Sequence, residues 1–209
     1  IHGLKLAHAF CNTSPDANVI VVCTELCTLH FQKESTENNI LSSLLFSDGC
    51  GAMLIQNNNK TKGINLEHFF SQVSFKGKND MSWELSSKGF LMTLTGYVPE
   101  LIKEDFDMLV TKALLSAQTT KADITHWCIH PGGKKILQVI EESLQLKNNE
   151  LKYSYEVLNN YGNMSSASIV FVLQKILQEL LQTNAATARV FGAAFGPGLT
   201  METFLATYD

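Results

Sequence analysis

A layered α/β fold is what the sequence predicts, on three observations. The β-branched apolar run Asn18-Val19-Ile20-Val21-Val22-Cys23 reads as a strand covered on both sheet faces. Strand-like and helix-like patterns alternate along the whole chain. Strand, helix and strand also recur with similar spacing on either side of the polar run from Asn57 to Gly63, so two structural halves are expected, although no repeat is visible residue by residue.

The elements follow in order. The chain opens without an initiator methionine, inside a helical pattern of Leu4, Leu6, Ala7 and Phe10, and is expected to be a fragment or processed product. Ser14-Pro15-Asp16 turns it into the apolar strand. Asn38 to Phe46 has helical spacing at Ile40, Leu41, Leu44 and Leu45, and Asp48-Gly49 leads into a second apolar strand, Ala52 to Ile55. The Asn-rich run that follows is the expected boundary, dividing the chain into 1–58 and 63–209.

Past it, Ile64 to Phe75 and Met81 to Leu94 read as extended. Pro99 opens an amphipathic helix carrying Leu101, Phe106, Leu109, Val110, Ala113 and Leu114. Thr125 to Ile129 is a short strand, helices are expected near Lys134 to Leu146 and Ser165 to Leu181, and strands Arg189 to Ala194 and Leu199 to Ala206 flank Gly196-Pro197-Gly198.

Composition narrows the function classes. In 209 residues, 45% are hydrophobic and 17% charged, enough to bury a core, and sixteen basic against twenty acidic residues give a net charge of -4. No Lys/Arg block of the kind that follows a phosphate backbone is present, so nucleic acid is not expected as a partner. No apolar run reaches the roughly 20 residues of a membrane span, and the first residues lack a signal peptide's basic start. The five cysteines are odd in number and show neither CxxC pairs nor zinc-ligand spacing; Cys23 and Cys128 sit in apolar runs as buried thiols do. A reducing, cytoplasmic setting and no metal are expected.

Three segments carry chemistry. In Ile129-His130-Pro131-Gly132-Gly133 a histidine ends a strand, and glycines let backbone approach a ligand before a helix start, whose free N–H groups favour anions. A structural histidine is the plain alternative. In Tyr161-Gly162-Asn163-Met164-Ser165-Ser166-Ala167 the asparagine precedes a long apolar helix, either as its cap or as a donor to a developing oxyanion. Phe195-Gly196-Pro197-Gly198-Leu199-Thr200-Met201-Glu202-Thr203 is a tight turn between strands, alone no more than a hairpin.

In this order and with these separations the three segments resemble the type III polyketide synthases, the chalcone and stilbene synthase family. Val21-Val22-Cys23-Thr24-Glu25 is similar to that family's buried strand, and Leu45-Phe46-Ser47-Asp48-Gly49 to its Leu-Phe-Gly-Asp-Gly; Ala194 departs from a usual glycine. The resemblance implies a thiolase-like layered fold, with the end of the first half and all of the second in this chain, and a homodimer. It implies an acyltransferase that condenses malonyl-CoA, with loss of CO2, onto an acyl-CoA starter, using coenzyme A thioesters and no cofactor. His130 and Asn163 would be catalytic, Gly132 and Gly133 would meet coenzyme A, and Cys27, His30, Phe46, Met92, Ser165 and the Phe195-Gly196-Pro197-Gly198 loop would shape the substrate pocket. His30 stands where plant members have threonine, and Met92 where they have a second phenylalanine. The nucleophilic cysteine of the family lies in a Gly-Cys-Tyr/Phe-Ala segment that would fall upstream of Ile1. Two alternatives stay open: a ketoacyl synthase of fatty-acid type, whose histidine segment reads His-Gln-Ala-Asn, and a structural or binding fragment without turnover.

Overall fold

The structure, a computed structural model, describes residues 1–57, 62–87 and 89–209. The expected boundary between 58 and 63 falls for the most part on residues 58–61, outside the described residues. Fourteen helices and strands run in the order α1 (His2–Thr13), β1 (Asn18–Glu25), α2 (Glu37–Leu45), β2 (Gly49–Gln56), β3 (Ile64–Val73), β4 (Met81–Ser86), β5 (Gly89–Leu94), α3 (Val98–Ser116), β6 (His126–Ile129), α4 (Lys134–Leu144), α5 (Lys152–Tyr161), α6 (Ser166–Gln182), β7 (Ala188–Gly196) and β8 (Thr200–Tyr208). A 3-10 turn, Cys27–His30, follows β1.

The main sheet has the order β3-β8-β7-β6, with β6 parallel to β7 and the other pairs antiparallel. Helices α3 and α4 cover one face, where Ile102, Phe106, Leu109, Leu137 and Ile140 are wholly buried against Phe191, Met201 and Leu205. The other face meets α6, whose Ala167, Val172, Ile176 and Leu180 join Cys128, Val190, Phe204 and Ala206 in a second core together with Leu4 of α1. Beyond α6 and α1 lies the antiparallel pair β1-β2. The order of layers is therefore helix, sheet, helix, sheet, with α6 covered from both sides, which is why its burial extends over most of its circumference.

Two features differ from expectation. Within the described residues β1 is covered on one face: its exposure alternates, and Ile20 at 67% and Val22 at 59% point outward beside Leu54 of β2 at 57%. A β-branched run reads the same whether one face or two is covered, so the pattern alone could not decide. Helix α5 has no counterpart in the sequence reading, because only Ser154 and Val157 within it are buried and it carries few strongly apolar residues. Elsewhere the elements match to within a few residues, helped by local signals: Thr36 Oγ1 accepts from the Asn39 N–H at the start of α2, and Pro99 sits in the first turn of α3. Among the described residues no helix is long and apolar enough to cross a membrane.

Packing across the sheet is tightest at Gly192, where an added Cβ would overlap the ring of Phe204, itself buried on the neighbouring strand. Gly192→Ala should therefore destabilise the fold by about 1–3 kcal/mol, read as a lower urea midpoint with unchanged m-value.

Candidate active site

Strand β6 carries a histidine to the edge of the core. The His130 N–H donates to the Ala193 carbonyl at 2.8 Å, extending the parallel β6-β7 pairing by one residue, and the Gly132 N–H returns to the His130 carbonyl at 2.9 Å. From α5, buried Ser154 donates its hydroxyl to the Ile129 carbonyl at 2.7 Å and pins the strand end. His130 is only 8% exposed. Burial lowers its pKa to about 4, so the imidazole is neutral near pH 7 and keeps one N–H to donate.

Asn163 is delivered to the same place by a different route. Gly162 ends α5 at φ +71 and is packed so closely on Ser47 and the Leu45 carbonyl that a Cβ would meet them at 3.0 and 3.2 Å. The Asn163 N–H then donates to Leu45 O at 2.9 Å, and the Ser47 N–H donates back to Asn163 O at 3.0 Å. Its side chain joins two segments, with Nδ2 donating to the Gly132 carbonyl at 3.2 Å and Oδ1 accepting from the Ser165 N–H at 2.9 Å. The structure thus brings Asn163 against the His130 loop. An amide nitrogen carries two hydrogens, so one donor of Asn163 is left over from this pairing.

The cap of α6 differs from expectation. Asn163 makes a turn ahead of the helix, Ser165 takes the left-handed φ of +49, and the first turn is met by the Glu25 carboxylate of β1, which accepts from the Ser166 hydroxyl and, at 3.3 Å, from its N–H. A cap supplied from so far along the chain leaves no local sequence signal.

Next to Ser165 opens a cleft of about 410 Å³ between the Cys27–His30 turn, α2 with Phe46, and the β4-β5 hairpin. Five expected pocket residues line it: Cys27, His30, Phe46, Met92 and Ser165. Glu25, Trp83 and Phe90 were missed. His30 meets Trp83 and Phe90 edge-on, with ring centroids at 5.3 and 5.7 Å. Hairpin register was the available signal, since Trp83 is the cross-strand partner of Met92 and so shares its face. The Phe195-Gly196-Pro197-Gly198 loop, by contrast, does not line this cleft. Phe195 packs on Phe106 in the core, and the Gly198 N–H donates to Met81 O at 2.7 Å, which places the loop behind the base of the hairpin. Gly133 comes nearest to Leu45, and α4 begins directly after it.

The thiols near the site are not activated. Cys128 is fully buried with its Sγ toward Ile169 O, and burial pushes its pKa far up. Cys27 is raised too, by burial first and then by the carboxylates of Glu25 and Asp48. Cys11 is buried with its Sγ 3.4 Å from Ile55 O. Among the described residues no three His, Cys, Asp or Glu side chains gather as metal ligands would.

Stacked layers of helix and sheet, with a histidine strand end and an asparagine loop meeting beside a cleft, define a thiolase-like α/β chain. Solved structures agree: polyketide synthase I of the brown alga Ectocarpus siliculosus superposes with a TM-score of 0.90 at 23% identity, over 100% of this chain and 57% of that one. The C-terminal type III polyketide synthase domain of "Steely1" from Dictyostelium gives 0.88 at 28%, over 99% and 58%. The chain belongs to the chalcone and stilbene synthase family, for the profile described as "Chalcone and stilbene synthases, C-terminal domain" matches residues 66–207. Among curated relatives, a probable polyketide synthase of Dictyostelium discoideum is 32% identical over 97% of this chain and 6% of its own length. A putative chalcone synthase of Bacillus subtilis is 29% identical over 99% and 58%, and an alpha-pyrone synthesis polyketide synthase-like protein of Mycobacterium tuberculosis is 30% identical over 98% and 53%. The chain thus spans little more than half the length of the latter two and a small part of the first.

The depressed pKa of His130 makes a pH prediction. Between its ordinary 6.5 and about 4 the unfolded chain binds a proton that the folded chain refuses, so stability should fall as pH drops through this window. The loss for this group is roughly 3 kcal/mol when complete. His126, also lowered by burial, adds to it. Urea midpoints measured from neutral pH down to about pH 4.5 should fall for the wild type and fall less for His130→Gln, which carries no titrating group there.

Proposed function

We propose that these residues form the decarboxylating and chain-shaping part of a type III polyketide synthase, acting on malonyl-CoA and an acyl-CoA starter. The observation that supports this reading is the contact between the Asn163 amide and the carbonyl of Gly132, two residues beyond His130, which ties the asparagine to the histidine loop. In the reaction a cysteine thiolate attacks the starter's thioester carbonyl and coenzyme A leaves as its thiol. The thioester oxygen of malonyl-CoA then accepts from His130 and Asn163, so that the electron pair freed as CO2 departs is held as an enolate. The enolate carbon attacks the acyl-enzyme, the cysteine is released as thiolate, and the lengthened chain stays on coenzyme A for another round. The electron pair comes from the broken C–C bond, so the cycle balances without a redox partner.

A neutral His130 suits this work, because it can donate to the growing oxyanion, whereas the buried imidazolium is disfavoured. The acyl-accepting cysteine is proposed to lie outside these residues: Cys11 and Cys128 are buried, Cys27 is held as a thiol by its surroundings, and Cys23 and Cys50 do not line the cleft. The cleft with Cys27, His30, Phe46, Met92 and Ser165 would receive the growing chain, and Gly132 and Gly133 would flank the coenzyme A arm. The Phe195 to Gly198 loop would act indirectly, by setting the position of Met81 at the base of the hairpin.

In the protein produced from its complete gene, Asn163→Ala should lower malonyl-CoA decarboxylation by about 10²- to 10³-fold with the fold intact. The 209-residue chain alone, given acyl-CoA and malonyl-CoA, should form no acyl-enzyme by mass spectrometry and release no polyketide. Release by this chain alone would return the nucleophile to Cys27 or Cys128. Cys27→Phe in the complete protein should shorten the product; an unchanged product length would remove Cys27 from the cavity wall.

A further inference from the structure

Two of the cleft residues, Cys27 and His30, ride on a single 3-10 turn that has no side-chain cap of its own. What holds that turn is a carboxylate from the loop before β2. Asp48 Oδ1 accepts from the Thr28 N–H at 2.8 Å and Oδ2 accepts from the Thr28 hydroxyl at 2.7 Å. The same short segment is tied to the catalytic loop in the opposite direction. Leu45 O receives the Asn163 N–H, the Ser47 N–H donates to Asn163 O, the Ser47 hydroxyl donates to Tyr161 O, and Phe46 bridges to Asn163. Residues Leu45 to Asp48 therefore grip the asparagine at one end and the cleft wall at the other.

We propose that Asp48 is a positioning residue that sets the Cys27–His30 turn relative to Asn163, so that acceptance of acyl chains in the cleft depends on Asp48 although it does not line the cleft. The proposal rests on the polyketide synthase reading for its substrate class and on the geometry alone for the clamp. Charge supports it: the two Thr28 bonds, the backbone one first, hold the Asp48 carboxyl below its usual range, so the carboxylate is the stable form at neutral pH. Loss of the clamp frees the turn but leaves Asn163 on Leu45 and Ser47. Substrate selection and decarboxylation should therefore separate.

The experiment uses the protein from the complete gene, with Asp48→Ala, Thr28→Val and Thr28→Ser, a set of acyl-CoA starters of graded length, and malonyl-CoA. The products are read by mass spectrometry and kcat and KM for each starter; malonyl-CoA decarboxylation and thermal unfolding are measured alongside. Thr28→Val and Asp48→Ala should change relative kcat/KM among starters by about tenfold, mostly through KM, with decarboxylation kept. Thr28→Ser, which retains the hydroxyl, should match the wild type. An unchanged starter profile in both Asp48→Ala and Thr28→Val overturns the proposal, as does a parallel fall of every activity with the folded fraction. An activity-free arm separates the clamp from the functional reading: Cys27 alkylation by iodoacetamide, mapped by peptide mass, should quicken in Thr28→Val. If the wild type makes no polyketide, the functional reading fails while this rate still judges the clamp; an unchanged rate in Thr28→Val counts against it.

Discussion

Helix α6 has sheet on both sides, and the rest of the molecule is arranged by that constraint. A helix covered all round must be apolar over most of its surface, and it must enter and leave the core without stranding its terminal N–H groups. The exit is ordinary. The entry is where the site lies, because the first turn finds its acceptor in Glu25 on the outer pair of strands and its lead-in residue, Asn163, is hydrogen-bonded to the loop after β6. One helix start therefore draws β1, the Leu45–Ser47 segment and the histidine loop together.

That convergence explains the electrostatics. The histidine sits where two apolar cores meet, so the solvent that would stabilise an imidazolium is excluded. The cleft beside it is different in kind. Its carboxylate, Glu25, is engaged at the helix start, and its aromatic wall of His30, Trp83 and Phe90 comes from a turn and a two-stranded hairpin rather than from the main sheet. Such a hairpin is stable only by packing on its neighbours. The His130 and Asn163 side is held by buried hydrogen bonds, whereas the hairpin wall of the cleft can vary with few consequences for the core.

Much of this was legible in the sequence, and what was not follows from range. Local periodicity and turn chemistry place α2, α3, α4, α6 and the strands, since each carries its own apolar stripe, proline or glycine. The segments with His130 and Asn163 stand out because their glycines and polar residues interrupt apolar runs. What sequence reasoning missed in the site lies chiefly in a contact between distant positions, the Glu25 carboxylate at the start of α6, with Trp83 opposite Met92 legible only once the hairpin register is known. The Phe195 to Gly198 turn was read correctly as a turn, but its direction depends on Phe106, which no local pattern encodes.

The sheet order has a consequence for how the chain is made. Strand β8 is the last of the described elements, yet it lies inside the main sheet, paired with β3 on one edge and β7 on the other. A ribosome that has already synthesised β3 must therefore still produce everything from β4 to β7 before the partner strand emerges, and through that interval β3 presents Leu66, Phe69 and Phe70 on an unpaired edge. Deleting β8 would not trim a dispensable strand: it would part β3 from β7 and leave each with an unsatisfied edge where two ladders should be.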